Sequence, residues 1–152
     1  MTAQSTANSS AIAGSCHCGN IRFALHWPAG ETRIASRACG CTFCRKHGAA
    51  WTSNRDARLE VRIGDPDLTA RYRFGTATAD FLVCSQCGVT PVVFCEIEGR
   101  TYAVVNVNTF DDSHGFDLTK TATDFDAEDE ASRLERRTRN WIGDVVIDSS
   151  PS

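Results

Sequence analysis

Apolar and polar residues alternate with a period of two through much of the chain, the signature of half-buried strands. Ile21, Phe23, Leu25 and Trp27 alternate with Arg22, Ala24 and His26. Leu59, Val61 and Ile63 alternate with charged residues, and Ala70, Tyr72 and Phe74 with Arg71 and Arg73. Pro28-Ala29-Gly30 and Gly64-Asp65-Pro66-Asp67 supply turns. Shorter strands are expected over residues 32–38, near 50–53 and over 79–83, and a helical turn within 42–50. Residues 92–97 and 102–107 are apolar on both phases, which suits the centre of a sheet. They are separated by Glu98-Gly99-Arg100. Residues 111–123 are polar and read as irregular. Residues 126–141 read as a helix, with Glu128, Asp129 and Glu130 early and Arg133, Arg136, Arg137 and Arg139 late. That order complements the helix dipole. Leu134 and Trp141 can share its apolar face, and a last short strand is expected over 145–147.

Composition narrows the class. A chain of 152 residues fits one domain, and its 41% hydrophobic content is slightly low for one. Two polar ends account for much of the deficit. Residues 1–13 read as a disordered tail and 148–152 as a disordered stub, leaving 14–147 as the domain. The net charge of −3 argues against general nucleic-acid binding. No stretch approaches the ~20 apolar residues of a membrane-spanning helix. No basic region followed by an apolar run opens the chain, so a cytoplasmic, non-membrane protein is expected.

Eight cysteines without an export signal read as metal ligands before disulfides. Cys16-x-Cys18 and Cys84-x-x-Cys87-Gly88 form two clamps, and four thiolates complete a structural zinc site, the alternative being two unrelated buried or free pairs. That assignment leaves Cys39-Gly40-Cys41-Thr42-Phe43-Cys44 as three thiols aimed at one point, a set that suits zinc with an open position. Other readings of the triad are a second closed site completed by Cys95 or a histidine, an iron–sulfur cluster, or no metal at all. Cys95, in an apolar strand, reads as a core residue. His47 follows the triad and is a candidate to hydrogen-bond a metal ligand or to act as an acid/base group, or a surface residue. His17 should point away from the metal, and His26 and His114 lack comparable context. Arg37, Arg45 and Lys46 flank the triad; they are candidates to hold the carboxylates of a small anionic substrate, or plain solvated charge. The chain shows no phosphate-binding glycine loop, nucleophile elbow or Ser/His/Asp arrangement.

Three stretches together resemble the glutathione-dependent formaldehyde-activating enzyme family, which includes centromere-protein-V-like proteins. They are Ser15-Cys16-His17-Cys18-Gly19-Asn20-Ile21-Arg22-Phe23, Cys39-Gly40-Cys41-Thr42-Phe43-Cys44-Arg45 and Cys84-Ser85-Gln86-Cys87-Gly88. The likeness covers residues 14–107. It implies an all-β "β-tent" of small antiparallel sheets stapled by zinc, here followed by a C-terminal helix, with two zinc ions. By position, Cys16, Cys18, Cys84 and Cys87 would hold the structural zinc and Cys39, Cys41 and Cys44 the catalytic one. The implied activity is that of a carbon–sulfur lyase joining glutathione to formaldehyde as S-hydroxymethylglutathione, or the same chemistry on another small-molecule thiol or aldehyde. A non-enzymatic zinc-stabilised binding module is the alternative, although the net charge and the acidic 111–130 region disfavour chromatin. Val89-Thr90-Pro91 departs from the family pattern, and beyond Val107 the acidic loop and Arg-rich helix find no counterpart in it.

Overall fold

A computed structural model describes residues 10–112, 115–123 and 128–149. His114 and the first residues of the expected C-terminal helix lie outside these.

Two of the three alternating segments lie in the first sheet; the third, at residues 69–72, lies at the edge of the second. β1 (Ser10–Ser15), β2 (Ile21–Trp27), β5 (Arg58–Ile63) and β11 (Asp144–Asp148) lie side by side in the order β1-β2-β5-β11. Register places Ile21 opposite Ile63, Phe23 opposite Val61 and Leu25 opposite Leu59, so the apolar phases of β2 and β5 share one face. The other phase pairs Ala24 with Glu60 and His26 with Arg58 on the outer face.

The second sheet holds seven strands among the described residues. They are β3 (Arg33–Cys39), β4 (Trp51–Thr52), β6 (Thr69–Tyr72), β7 (Asp80–Cys84), β8 (Val92–Ile97), β9 (Arg100–Asn106) and β10 (Asp117–Thr123). Their order is β10-β3-β4-β9-β8-β7-β6. β8 and β9 are buried on both faces, which is why they read as continuous apolar runs. One face packs Ile34, Leu82, Val92 and Val105 against Ile12, Ile21, Leu25 and Leu59 of the first sheet. The other face packs Val93, Cys95, Tyr102 and Val104 with Trp51 and Trp141. Two helices flank that second face: α1 (Thr42–His47) and α2 (Glu130–Asn140).

The all-β expectation with a C-terminal helix holds, with three differences in detail. β1 begins at Ser10, inside the expected tail, because Ile12 and Gly14 turn inward while Ala11 and Ala13 face out. Asp148, expected in the terminal stub, ends β11. Residues 117–123 form a strand where irregular chain was expected: β10 is an edge strand, bonded only to β3 and mostly exposed, so it needs no apolar phase. β10 on β3 and β11 on β5 are parallel pairings, whereas the remaining ladders are antiparallel.

Candidate functional site

All eight cysteines are thiols, and seven gather in two groups. Cys16 and Cys18 lie in the β1–β2 connection, Cys84 ends β7, and Cys87 follows it. Each pair sits on a curled backbone. Gly19 N–H donates to Cys16 O at 3.2 Å and Gly88 N–H to Cys84 O at 2.8 Å. Both glycines take positive φ, 86° and 85°, which a side chain would strain. The four Sγ atoms lie within 4.8 Å of one another. Cys16 to Cys18 is 3.7 Å and Cys18 to Cys84 is 3.5 Å. A tetrahedral zinc about 2.3 Å from each sulfur spaces the sulfurs about 3.8 Å apart, so the donor set fits. Ile21 N–H points at Cys16 Sγ from 3.3 Å. Burial pushes the Cys16 thiol up to about 12. Cys87 falls to about 6: burial raises it, and the Val89 and Cys18 N–H groups and the Cys84 and Cys16 thiols outweigh that. A cation among the sulfurs removes this conflict by favouring all four thiolates.

The second group is built by the end of β3 and the start of α1. Cys39 is the last residue of β3, and Gly40 N–H donates to Thr123 O of β10 at 2.9 Å as the chain leaves the sheet. Cys41 takes the N-cap position of α1, its Sγ accepting Cys44 N–H at 3.4 Å. Cys44 is buried one turn on, and Trp51 Nε1–H donates to its Sγ at 3.3 Å. Contact with Cys39, then burial, push the Cys44 thiol up, against the pull of Trp51. These three Sγ atoms also lie within 4.8 Å of one another and could hold a metal ion. Among the described residues no fourth His, Cys, Asp or Glu joins them. Cys95 is buried in β8 and accepts from Arg137 Nη1 at 3.3 Å, so it belongs to the core and not to this group. His47 stacks on Phe43 with ring centroids 4.3 Å apart.

The triad opens on a cavity of about 450 Å³. Trp51, Phe74, Phe81 and Trp141 make its apolar wall, and Arg37, Glu128, Arg133, Arg136 and Arg137 its charged wall. Arg37 lies on β3 two residues before Cys39, and its Nη2 donates to Ser53 Oγ at 3.1 Å. Ser53 Oγ in turn donates to Asn140 O at 2.9 Å, tying the end of α2 to the same corner. Glu128 faces Arg136, accepting from Nε at 3.0 Å through Oε2 and from Nη2 at 3.0 Å through Oε1. The Arg136 guanidinium holds the Glu128 carboxyl below its usual value. Burial lowers the Arg37 and Arg137 guanidiniums, and neighbouring Arg136 lowers both further.

Of the residues flanking the triad in sequence, the structure brings Arg37 to the cavity. Arg45, Lys46 and His47 project from the exposed side of α1 and are not among the lining residues, because the helical turn that buries Cys44 rotates its neighbours outward. The cations that replace them come from α2. Their signal was in the sequence: positions 133, 136 and 137 are spaced by three and four and so share one helix face.

The family profile described as "Glutathione-dependent formaldehyde-activating enzyme" matches residues 11–125. Among solved structures, a crystal structure of a Rhodobacter sphaeroides protein is 28% identical, covering 72% of this chain and 100% of that one with a TM-score of 0.49.

Proposed function

The chain belongs to the glutathione-dependent formaldehyde-activating enzyme family, and on that premise we propose that it is a carbon–sulfur lyase adding glutathione, or a related thiol, to formaldehyde or another small aldehyde. One observation carries this reading: three cysteines converge without a fourth ligand among the described residues, at the wall of a cavity of about 450 Å³. A structural metal needs four protein ligands, and Cys16, Cys18, Cys84 and Cys87 supply such a set elsewhere. Three ligands beside a cavity leave room for a substrate atom.

In this reading Cys39, Cys41 and Cys44 hold a catalytic zinc, and the other four cysteines a structural one. Zinc bound by the triad would supply Lewis acidity, making a thiol in the cavity acidic near neutral pH. The reaction itself is an addition. The thiol sulfur bonds to the carbonyl carbon, the carbonyl π pair moves to oxygen, and the thiol proton ends on that oxygen. Nothing is oxidised, and no further reactant is needed. Trp51 fixes Cys44 through its N–H, and with Phe74, Phe81 and Trp141 it gives the cavity an apolar lining that limits competing water. Arg37 supplies a cation close to the triad for a substrate carboxylate.

Exchange NMR on glutathione and formaldehyde tests the reading. The zinc-loaded protein is expected to accelerate interconversion with S-hydroxymethylglutathione, and Cys41→Ala to abolish the acceleration. A rate equal to the spontaneous one with zinc-loaded wild type would remove the assignment.

A further inference from the structure

The charged wall of the cavity is out of keeping with the rest of the molecule. Besides the thiols, its charged residues are four arginines and one glutamate, in a chain whose net charge is −3. Arg133 and Arg136 turn toward Glu128. Arg137 does not. It is 8% exposed: Nη1 donates to Thr78 Oγ1 at 2.9 Å and to Cys95 Sγ at 3.3 Å, and the guanidinium lies 4.8 Å from the Trp141 ring centroid; it adds to the field that lowers the Glu128 carboxyl without hydrogen-bonding it. Its Nε is buried and, among the described residues, has no hydrogen-bond partner. A guanidinium taken out of water with no carboxylate bonded to it is costly, and such groups are ordinarily paired. Arg37, half-buried on the same wall, has Ser53 Oγ as its hydrogen-bond partner.

We propose that Arg137, with Arg37 lining the same cavity, binds a carboxylate of the thiol substrate, so that α2 selects carboxylate-bearing thiols over neutral ones. The inference rests on the reading that a thiol reaches the triad. A guanidinium presents several N–H donors in a fixed planar fork, which a lysine cannot reproduce. Arg137 lines the cavity on which the triad opens. α2 (Glu130–Asn140), which carries Arg137, lies beyond the residues 11–125 that match the family, whereas Arg37 lies within them.

Calorimetric binding to the zinc-loaded full chain tests this, using glutathione and its diethyl ester, which keeps the thiol and blocks both carboxylates. Wild type is expected to bind glutathione about tenfold tighter than the ester, the scale of one charge-assisted contact. Arg137→Gln should bring the two affinities together by weakening glutathione alone. Arg137→Lys, which keeps the buried charge should the Gln variant not fold, should also lose most of the preference. Arg139→Gln, an exposed position on the same helix, should retain it. Equal binding of the two ligands to wild type overturns the proposal, as does an undiminished preference in folded Arg137 variants. A preference that depends on Arg137 in a protein that does not catalyse the exchange supports the subsite and removes the formaldehyde reaction. Catalysis with the ester bound as tightly as glutathione does the reverse.

Discussion

Gly14 shows how a single position is set by packing and not by turn geometry. It lies buried in β1 opposite Phe23, and a Cβ there would run into Phe23 Cζ and come within 2.6 Å of Thr109 O. The carbonyl is backbone and cannot swing aside. Gly14→Ala is therefore expected to destabilise the fold by ~1–3 kcal/mol, the usual cost of overpacking a core. It would be read as a lowered melting temperature with the metal content unchanged; an unaltered melt would mean the ring and the 109 segment yield freely. The metal ligands differ in this respect. Their spacing defines each clamp and the triad, because a short chain between two thiols limits how far apart they can be, whereas the meeting of Cys16 and Cys18 with Cys84 and Cys87 spans 66 residues. The partners of the ligands were not legible: Trp51 bonds Cys44 across seven residues through a contact that no local pattern encodes.

At the scale of elements, β2 and β5 are legible because one face meets the core and the other meets water; the alternation at Ala70, Tyr72 and Phe74 is not of this kind, since β6 ends at Tyr72 and is mostly exposed. β10 escaped because an edge strand is held by backbone bonds to one neighbour, and its polar side chains carry no phase. α2 was visible as a helix, but its inner face was not, since arginine normally faces solvent and here lines a cavity. Its start depends on Asp129, whose carboxylate accepts Ser132 N–H at 2.7 Å. That backbone bond holds the Asp129 carboxyl below its usual value. A depressed acid stabilises the fold above its unfolded pKa, and the contribution is lost as pH falls through the native value. Asp129→Asn keeps an acceptor but removes the charge from the helix N-terminus. It should melt below wild type at neutral pH, with the gap closing as acid protonates Asp129. Melting curves of both proteins across the acidic range check this, and a gap independent of pH would contradict it.

Across the whole molecule, the four-cysteine group joins the two sheets. Cys16 and Cys18 leave the first sheet at the β1–β2 connection, and Cys84 and Cys87 leave the second where β7 turns toward β8. A metal there closes a long loop and contributes its binding energy to folding. The triad, by contrast, draws its ligands from one short stretch and staples nothing distant. Cys84→Ala should therefore lower both metal content and thermal stability steeply. Cys41→Ala should lose one metal equivalent while the melting temperature changes little. Elemental analysis paired with thermal melts separates the two; equal destabilisation by both variants would contradict the division of roles.

The amino-acid sequence by itself determined the strands whose faces differ in polarity, the two thiol clamps, the triad and the family. These depend on residue type and short spacing, which the chain carries locally. The tertiary structure decided which cations surround the triad. Arg45, Lys46 and His47 are its neighbours along the chain, but the turn of α1 directs them outward. Arg133, Arg136 and Arg137 lie some ninety residues away and reach the cavity because α2 packs on the second sheet. Proximity along a chain fixes distance only over a few residues, so the chemistry of a cavity wall is settled by how remote elements dock.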